Sequence, residues 1–346
     1  MGSAAVAVDG LGTVGTFGPQ TAVPLASTAK IMTGFLILER HPLRLTEQGP
    51  MLSVTAADVA SYQAEKAQGQ SVFLVAAGEQ LSEYQAIQAL LIPSGNNIAE
   101  LLAAWDSNSV PAFVDKMNAR AAELGLSHTH YADVSGVSAE SIGSPGDLIA
   151  MAEVAMRNPV FAEIVSQPEA TLPLAGRVFN VDAAVGQDGI VGVKTGFSGP
   201  AGACFVFAAD VTADRQPARI VGALMGLPTL DDAFTTARNL IRAVSPALHY
   251  RPILSTLQVI GEYRAPWGDT ATVFAEQDVN WVVYDGMTLH MRADLVRLKA
   301  PLPSGASAGI VSLQVGERMT QLPLTTTEPI FEPDIFWRLT QLRLFQ

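Results

Sequence analysis

Pro24-Leu25-Ala26-Ser27-Thr28-Ala29-Lys30-Ile31-Met32-Thr33-Gly34-Phe35-Leu36-Ile37-Leu38-Glu39-Arg40 is the stretch around which the rest of the chain is ordered. Its apolar positions Ile31, Met32, Phe35, Leu36 and Leu38 recur at helical spacing on more than one face, which predicts a buried helix beginning close to Ser27. Packing alone does not ask for a serine and a lysine at the start of such a helix. Residues three apart share a helix face, so Lys30 is expected one turn above Ser27, within reach of its hydroxyl. That sets a nucleophile beside a base. A serine hydroxyl is a poor nucleophile at neutral pH. A lysine takes its proton only when neutral, so the site needs burial or a second cation to lower the lysine's pKa. Ser-x-x-Lys turns up about once by chance in a chain of this length. Taken alone, a serine helix cap with a solvent-facing lysine is the simpler account, and only partners elsewhere can change that.

The chain has 346 residues, enough for about two domains that each bury a core. A net charge of −12 argues against nucleic acid or an anionic membrane surface as the main partner. Apolar residues make up 49% and charged residues 16%, which excludes wholesale disorder. The single cysteine, Cys204, permits neither an internal disulfide nor a cysteine-based metal site. Met1-Gly2-Ser3 leads straight into a strand-like run without a basic or apolar leader, so the expectation is a cytosolic protein or a trimmed mature form. No apolar run reaches membrane-spanning length.

Outward from the quoted stretch, Ala4 to Val8 and Leu11 to Phe17 read as strands around the turn Asp9-Gly10. Gly10-x-Gly12-x-x-Gly15 matches a dinucleotide fingerprint, but Thr16-Phe17-Gly18-Pro19 cannot begin the helix that fingerprint needs. A helix start is expected at Thr55-Ala56-Ala57-Asp58, and a short strand or extended turn from Ser71 to Glu79. Helices follow over Leu81–Leu91, Ile98–Trp105 and Phe113–Leu124, the last closed by Gly125. Between the first two lies the tight polar loop Ser94-Gly95-Asn96-Asn97, whose side chains are expected to be buried or to line a cleft. His128-x-His130-x-x-Asp133 has a zinc-like spacing, but His41, His249 and His290 stand alone and supply no further ligands, so no metal is expected. Ser144-Pro145-Gly146-Asp147 starts a helix that Asn158-Pro159 ends. Gly189 to Gly196 reads as a strand closing in Lys194-Thr195-Gly196, with Ala203–Ala209 and Ile220–Met225 beside it in an antiparallel sheet, then a helix over Ala233–Val244. Beyond residue 246 short strands alternate with turns, the pattern of a small all-β domain over 247–333. The tail, 334–346, carries a helical apolar face over Ile335, Phe336, Leu339, Leu342 and Phe345 that packs on the β domain or lies on a membrane surface.

Ser27-x-x-Lys30, Ser94-Gly95-Asn96 and Lys194-Thr195-Gly196 occur in that order at a helix start, an interhelical loop and a strand edge. The combination is far rarer than any member and is the motif set of penicillin-binding proteins and class A β-lactamases. Leu25–Leu38, Gly78–Asn97, Phe113–Asn118 with Ala121-x-x-Leu124-Gly125-Leu126, and Gly192–Gly196 resemble the low-molecular-mass penicillin-binding proteins, the serine-type D-alanyl-D-alanine carboxypeptidases. Leu298–Gly305 and Gln321–Leu324 resemble that family's second domain, so the resemblance covers nearly the whole chain.

The resemblance implies an α/β fold: a β-lactamase/transpeptidase-like catalytic domain over 1–246, with an antiparallel sheet flanked by helices and an all-helical lobe, before the β domain. It implies that Ser27 attacks the penultimate D-alanine of a peptidoglycan stem peptide ending in D-Ala-D-Ala, and that Lys30 takes its proton. Lys194 would help to keep Lys30 neutral. Ser94 would relay the proton, and Asn96 would hold the peptide and orient Lys30. Lys194 and Thr195, with Gly196, Phe197 and Ser198 alongside, would receive the terminal carboxylate, and the N–H groups of Ser27 and Phe197 would hold the oxyanion. No metal or organic cofactor is implied. β-Lactam antibiotics would acylate the same serine, and the location would be extracytoplasmic. The family often carries an arginine after the strand ending at Met225, where this chain has Gly226-Leu227-Pro228-Thr229, and Ser198 is the substitute hydroxyl. Three alternatives share the motifs: a β-lactamase, a transpeptidase and a non-catalytic cell-wall binding protein. The first would want a deacylating glutamate, and Glu140, Glu163 and Glu169 have no such sequence context.

Overall fold

The computed structural model describes residues 2–342. The chain divides into two compact units. The first contains Thr13–Thr212 and Pro217–Pro246 with the N-terminal strand, and the second is built from Gly10–Gly12, Ala213–Gln216 and the chain from Ala247 onward.

In the first unit the helix Lys30–Arg40 is the axis of the helical lobe. Every residue from Lys30 to Leu38 is buried, as a helix apolar on all faces requires. It touches the helices Glu83–Leu91, Asn96–Ser107, Val110–Glu123, Pro145–Met156 and Pro159–Val165, and the strand Ile190–Ser198. Each fully buried Ile, Leu or Met here contributes about 1.5–3 kcal/mol, which together offset the cost of burying one lysine. Asp106 ties the far end of this helix down: its side chain is fully buried and accepts from Arg40, His41, Lys116 and Ser107. Burial works against its charge, yet those donors hold the carboxyl well below its usual range.

A five-stranded sheet backs the lobe, in the spatial order Gly12–Phe17, Ser3–Val8, Gln216–Leu227, Gly202–Ala213, Ile190–Ser198. Ser3 pairs with Met225 and Gly202 with Ser198, both antiparallel. Ile190–Ser198 is the edge strand, so its outer backbone is left to face the site.

Most helices follow their local signals. Thr55 and Asp58 form a capping box for Ala56–Ala67, and Ser144 Oγ accepts the Asp147 N–H. Of the two readings of Ser71–Glu79 the extended turn holds, and no strand forms there. Three expectations are corrected: the helix after Gln80–Ser82 begins at Glu83, the helix expected from Ile98 begins at Asn96, and Asn158-Pro159 both ends one helix and starts the next. Asn158 Oδ1 accepts from Val160 and Phe161 while Pro159 occupies the first helical position, where a missing N–H costs nothing.

In the second unit a five-stranded sheet runs Gly261–Arg264, Thr270–Ala275, Arg318–Thr326, Ser307–Val315, Leu289–Leu295, with Leu248–Leu254 paired to Val279–Tyr284. Ala271, Val273, Leu313 and Leu324 are buried on its inner face. The tail forms a helix over Ile335–Leu342, with Trp337 edge-on to Trp267. Phe345 of the expected apolar face lies outside the described residues.

Candidate active site

The helix predicted to begin near Ser27 begins at Lys30, and Ala26–Ala29 is instead a 3-10 turn. The difference matters, because residues three apart eclipse one another in a 3-10 turn. Lys30 Nζ lies 2.9 Å from Ser27 Oγ. Neither helical start has a side-chain cap, so the cap reading of Ser27 does not hold, and it is Thr28 Oγ1 that donates back to the Leu25 carbonyl. Ala26 enters the turn with a φ of 47°, a left-handed conformation that costs a residue with a Cβ about 1–3 kcal/mol.

Lys30 is fully buried and has four polar neighbours. They are Ser27 Oγ at 2.9 Å, Ser94 Oγ at 3.3 Å, Asn96 Oδ1 at 2.5 Å and the Ser135 carbonyl at 3.2 Å. A neutral amine has two hydrogens and one lone pair. The amide and peptide oxygens can only accept, so they take both hydrogens, and the lone pair is left to the serine hydroxyls. The electrostatics agree: burial first, and then the positive charge of Lys194, hold Lys30 well below the ordinary lysine range, against the opposing pull of Asp133 and Glu65.

The segment Ser94-Gly95-Asn96-Asn97 is buried, as its place between two apolar helices predicted, and its last two residues already belong to the helix Asn96–Ser107. Ser94 takes a φ of 67°, and the Gly95 N–H returns to the Ala89 carbonyl. The extended chain after Gln70 clamps it. Asn96 N–H donates to the Ser71 carbonyl, and Asn97 pairs through both side-chain atoms with the Phe73 backbone. Gln70 Oε1 accepts from Asn96 Nδ2 at 2.7 Å, which turns Asn96 Oδ1 toward Lys30.

The third segment lies along the 3-10 turn. A Cβ on Gly196 would stand 2.9 Å from the Ser27 nitrogen and 3.0 Å from Ala26 Cβ, so this strand passes Ser27 with room only for glycine. Lys194 and Thr195 are buried. Lys194 Nζ donates to the Thr195 carbonyl, and burial lowers it to about 8 against the pull of Asp182. Phe197 is 60% exposed, unlike its strand neighbours. Ser198 Oγ accepts the Ala201 N–H and keeps its own hydrogen to donate.

Three contributors carried no motif. Ser135 enters through its carbonyl, Gln70 through Asn96, and Asp133 through the loop that carries Ser135. The Asp133 carboxylate accepts from the N–H groups of Ser135, Gly136, Val137 and Ser138 and from the hydroxyls of Ser135 and Ser141. Burial opposes its charge, and these bonds hold its pKa below the usual value. Asp133-x-Ser135-Gly136 is a legible Asx-turn signal, and it uses up the aspartate of the zinc-like pattern. Among the described residues no group of three or more His, Cys, Asp or Glu is placed to hold a metal ion. Of the three glutamates considered for deacylation, Glu140 and Glu163 are exposed and Glu169 is tied to Arg177.

Residues 16–229 match the family model for D-alanyl-D-alanine carboxypeptidase. D-alanyl-D-alanine carboxypeptidase DacB2 of Mycobacterium tuberculosis is 32% identical over 240 residues, covering 66% of this chain and 77% of that protein. D-alanyl-D-alanine carboxypeptidase DacA of Escherichia coli is 25% identical over 291 residues, covering 78% of this chain and 69% of that protein. The crystal structure of penicillin binding protein 5 from Haemophilus influenzae superposes with a TM-score of 0.70 at 20% identity, over 95% of this chain and 97% of that one. At that identity the likeness speaks for the fold, and the sequence matches speak for the lineage. The family match spans more than half of the chain, and the chain belongs to the serine D-alanyl-D-alanine carboxypeptidase family.

Proposed function

We propose that Ser27 is the nucleophile of this D-alanyl-D-alanine carboxypeptidase and that Lys30, in its neutral form, is the base that activates it. The observation that carries this reading is the buried amine Lys30 Nζ within hydrogen-bond distance of the acceptors Asn96 Oδ1 and the Ser135 carbonyl, with Ser27 Oγ 2.9 Å from the same nitrogen. Ser27 Oγ attacks the carbonyl carbon of the penultimate D-alanine of a peptidoglycan stem peptide while its proton passes to Lys30. The carbonyl becomes an oxyanion held by the N–H groups of Ser27 and Phe197. When the C–N bond breaks, the leaving D-alanine nitrogen receives the proton through Ser94, leaving an ester on Ser27. Water then hydrolyses the ester and restores the hydroxyl.

Lys194 and Thr195 receive the terminal carboxylate, with Gly196, Phe197 and Ser198 along the same edge. A free C-terminus is thereby selected, because the positive charge of Lys194 has a counter-charge to meet only there. Asn96 holds the scissile amide and fixes Lys30. β-Lactams, which present a strained amide beside a carboxylate, acylate the same serine. Stem peptides lie outside the cytoplasmic membrane, and the reading places the protein there. The exposed Ile335, Phe336 and Leu339 support contact of the tail with a membrane surface, which co-sedimentation with phospholipid vesicles, weakened by Phe336→Asp, would test.

The deciding experiment is intact-protein mass spectrometry after exposure to a penicillin, with wild type and Ser27→Ala side by side, followed by assay of D-alanine release from a D-alanyl-D-alanine peptide. A persistent adduct that needs Ser27, together with D-alanine release, is expected. Rapid loss of the adduct with penicillin turnover would make the protein a β-lactamase. Transfer to an added amine in preference to water would make it a transpeptidase, and no adduct would make it a binding protein.

A further inference from the structure

A cavity of about 290 Å³ is lined in part by Ser61, Glu65, Gln70, Glu100, Asp133 and Ser135. Two of its walls belong to the lysine's own network, Ser135 through its carbonyl and Gln70 through Asn96. Glu65, on the helix Ala56–Ala67, is 7% exposed, and its Oε2 has no hydrogen-bond partner. The N–H of Asn97, next in sequence to Asn96, faces its carboxyl. Ser61 Oγ stands 2.5 Å from Glu100 Oε2 and 3.4 Å from Glu65 Oε1. One hydroxyl hydrogen cannot serve two carboxylates. The arrangement balances when Glu65 holds a proton, with Ser61 donating to Glu100 and accepting from Glu65.

We propose that Glu65 is a positioning residue whose own proton sets the proton occupancy of Lys30. This rests on the reading of Lys30 as the base. The charges that act on Lys30 are those of Lys194, Asp133 and Glu65, and those that act on Glu65 are Glu100 and Lys30. Asp133 is held ionised by its loop, and Lys194, at about 8, is charged at neutral pH and below. Burial, and then the like charge of Glu100, raise Glu65 to about 7, so it is the neighbour that changes charge around neutrality. An ionised Glu65 holds a proton on Lys30. A protonated Glu65 releases that hold and keeps the amine neutral as the pH falls.

The test is the pH dependence of kcat/KM for D-alanine release by the full chain, for wild type, Glu65→Gln and Glu100→Gln. The acid limb marks protonation of Lys30. Glu65→Gln carries no charge at any pH, so at and above about pH 7, where Glu65 of the wild type is ionised, its limb is expected to lie at lower pH, with the plateau retained, and well below pH 7 the two profiles should merge. Glu100→Gln removes the like charge, so Glu65 stays ionised to lower pH and the limb is expected to move upward. Opposite displacements are a result that mere packing does not produce. Limbs that stay in place in both variants, or a plateau that falls with no shift, would overturn the proposal. If Glu65→Gln fails to fold, the direction of the Glu100→Gln limb decides alone. Wild type that neither releases D-alanine nor forms a Ser27-dependent penicillin adduct would overturn the functional reading first, and the inference with it.

Discussion

Asn96 Oδ1 stands 2.5 Å from Lys30 Nζ, closer than Ser27 Oγ at 2.9 Å. The amide oxygen accepts a hydrogen from the amine but offers it no charge, and Gln70 keeps the amide from turning over. Asn96→Asp would put a carboxylate at the same distance and hold the third proton on the lysine. Its kcat/KM for D-alanine release at pH 7 is expected to fall about 10²–10⁴-fold, the usual worth of a general base. Activity should partly recover as the pH is raised, because the acid limb moves upward. A pH profile of the same shape and position as wild type would refute this account of the contact.

Gly136 sets the floor beneath the turn that carries Ser27. Its φ is 79°, and a Cβ there would lie 1.8 Å from the Ala26 carbonyl oxygen, immediately before Ser27. Nothing flexible is available to yield, since the atom met is backbone. Gly136→Ala is expected to cost about 2–4 kcal/mol in denaturant unfolding. Molecules that still fold should be acylated by penicillin at least tenfold more slowly, because the shift in Ala26 carries Ser27 with it. Wild-type acylation in this variant would show that Gly136 does not locate the serine.

Asp133 gathers four backbone N–H groups and two hydroxyls onto one carboxylate. Asp133→Ala leaves them to water or to nothing. At about 1–3 kcal/mol for each buried donor left unmet, and with water replacing some, a loss of about 3–5 kcal/mol is expected. The sign with pH follows from the lowered pKa. The folded state holds this proton more weakly than the unfolded chain, so the contribution is complete above the unfolded value of about 3.9 and is lost as pH falls through the folded one. Acid unfolding curves of wild type and variant should therefore converge toward low pH. Parallel curves down to pH 2 would remove Asp133 from the account of acid stability.

What the sequence made legible was local. Helical periodicity fixed the buried helix after Lys30, and cap chemistry marked Thr55 and Ser144, because each depends on residues within one turn of the other. The triplet was readable because its three members are side-chain chemistry in a set order. The 3-10 start at Ala26 was not, since it follows from the strand at Gly196 and the loop at Gly136 pressing on the turn, both distant in sequence. Ser135 reaches Lys30 through a carbonyl, and a carbonyl has no letter of its own. Glu65 and Glu100 sit on separate helices and meet only through tertiary packing. Asn158-Pro159 was read as a stop although the same two residues are also a good start, and local chemistry does not choose between them.

Glu83 gives a prediction away from the chemistry. It is the first residue of the helix Glu83–Leu91, fully buried, and neither carboxyl oxygen has a hydrogen-bond partner. A helix N-terminus favours a negative charge, but here burial wins and raises the carboxyl from 4.5 to about 7. Between those values the folded chain holds a proton that the unfolded chain has released, so stability falls as pH rises from about 4.5 through 7. Above 7 the folded state carries a buried charge with no partner. Glu83→Gln keeps the shape and removes that charge. Its Tm is expected to exceed that of wild type by about 2–4 °C at pH 8. The advantage should shrink to nothing below pH 4.5, where the wild-type carboxyl is neutral in both states. Thermal unfolding of the two proteins at pH 4.5 and pH 8 decides it, and an equal difference at both would mean that Glu83 keeps its charge state throughout.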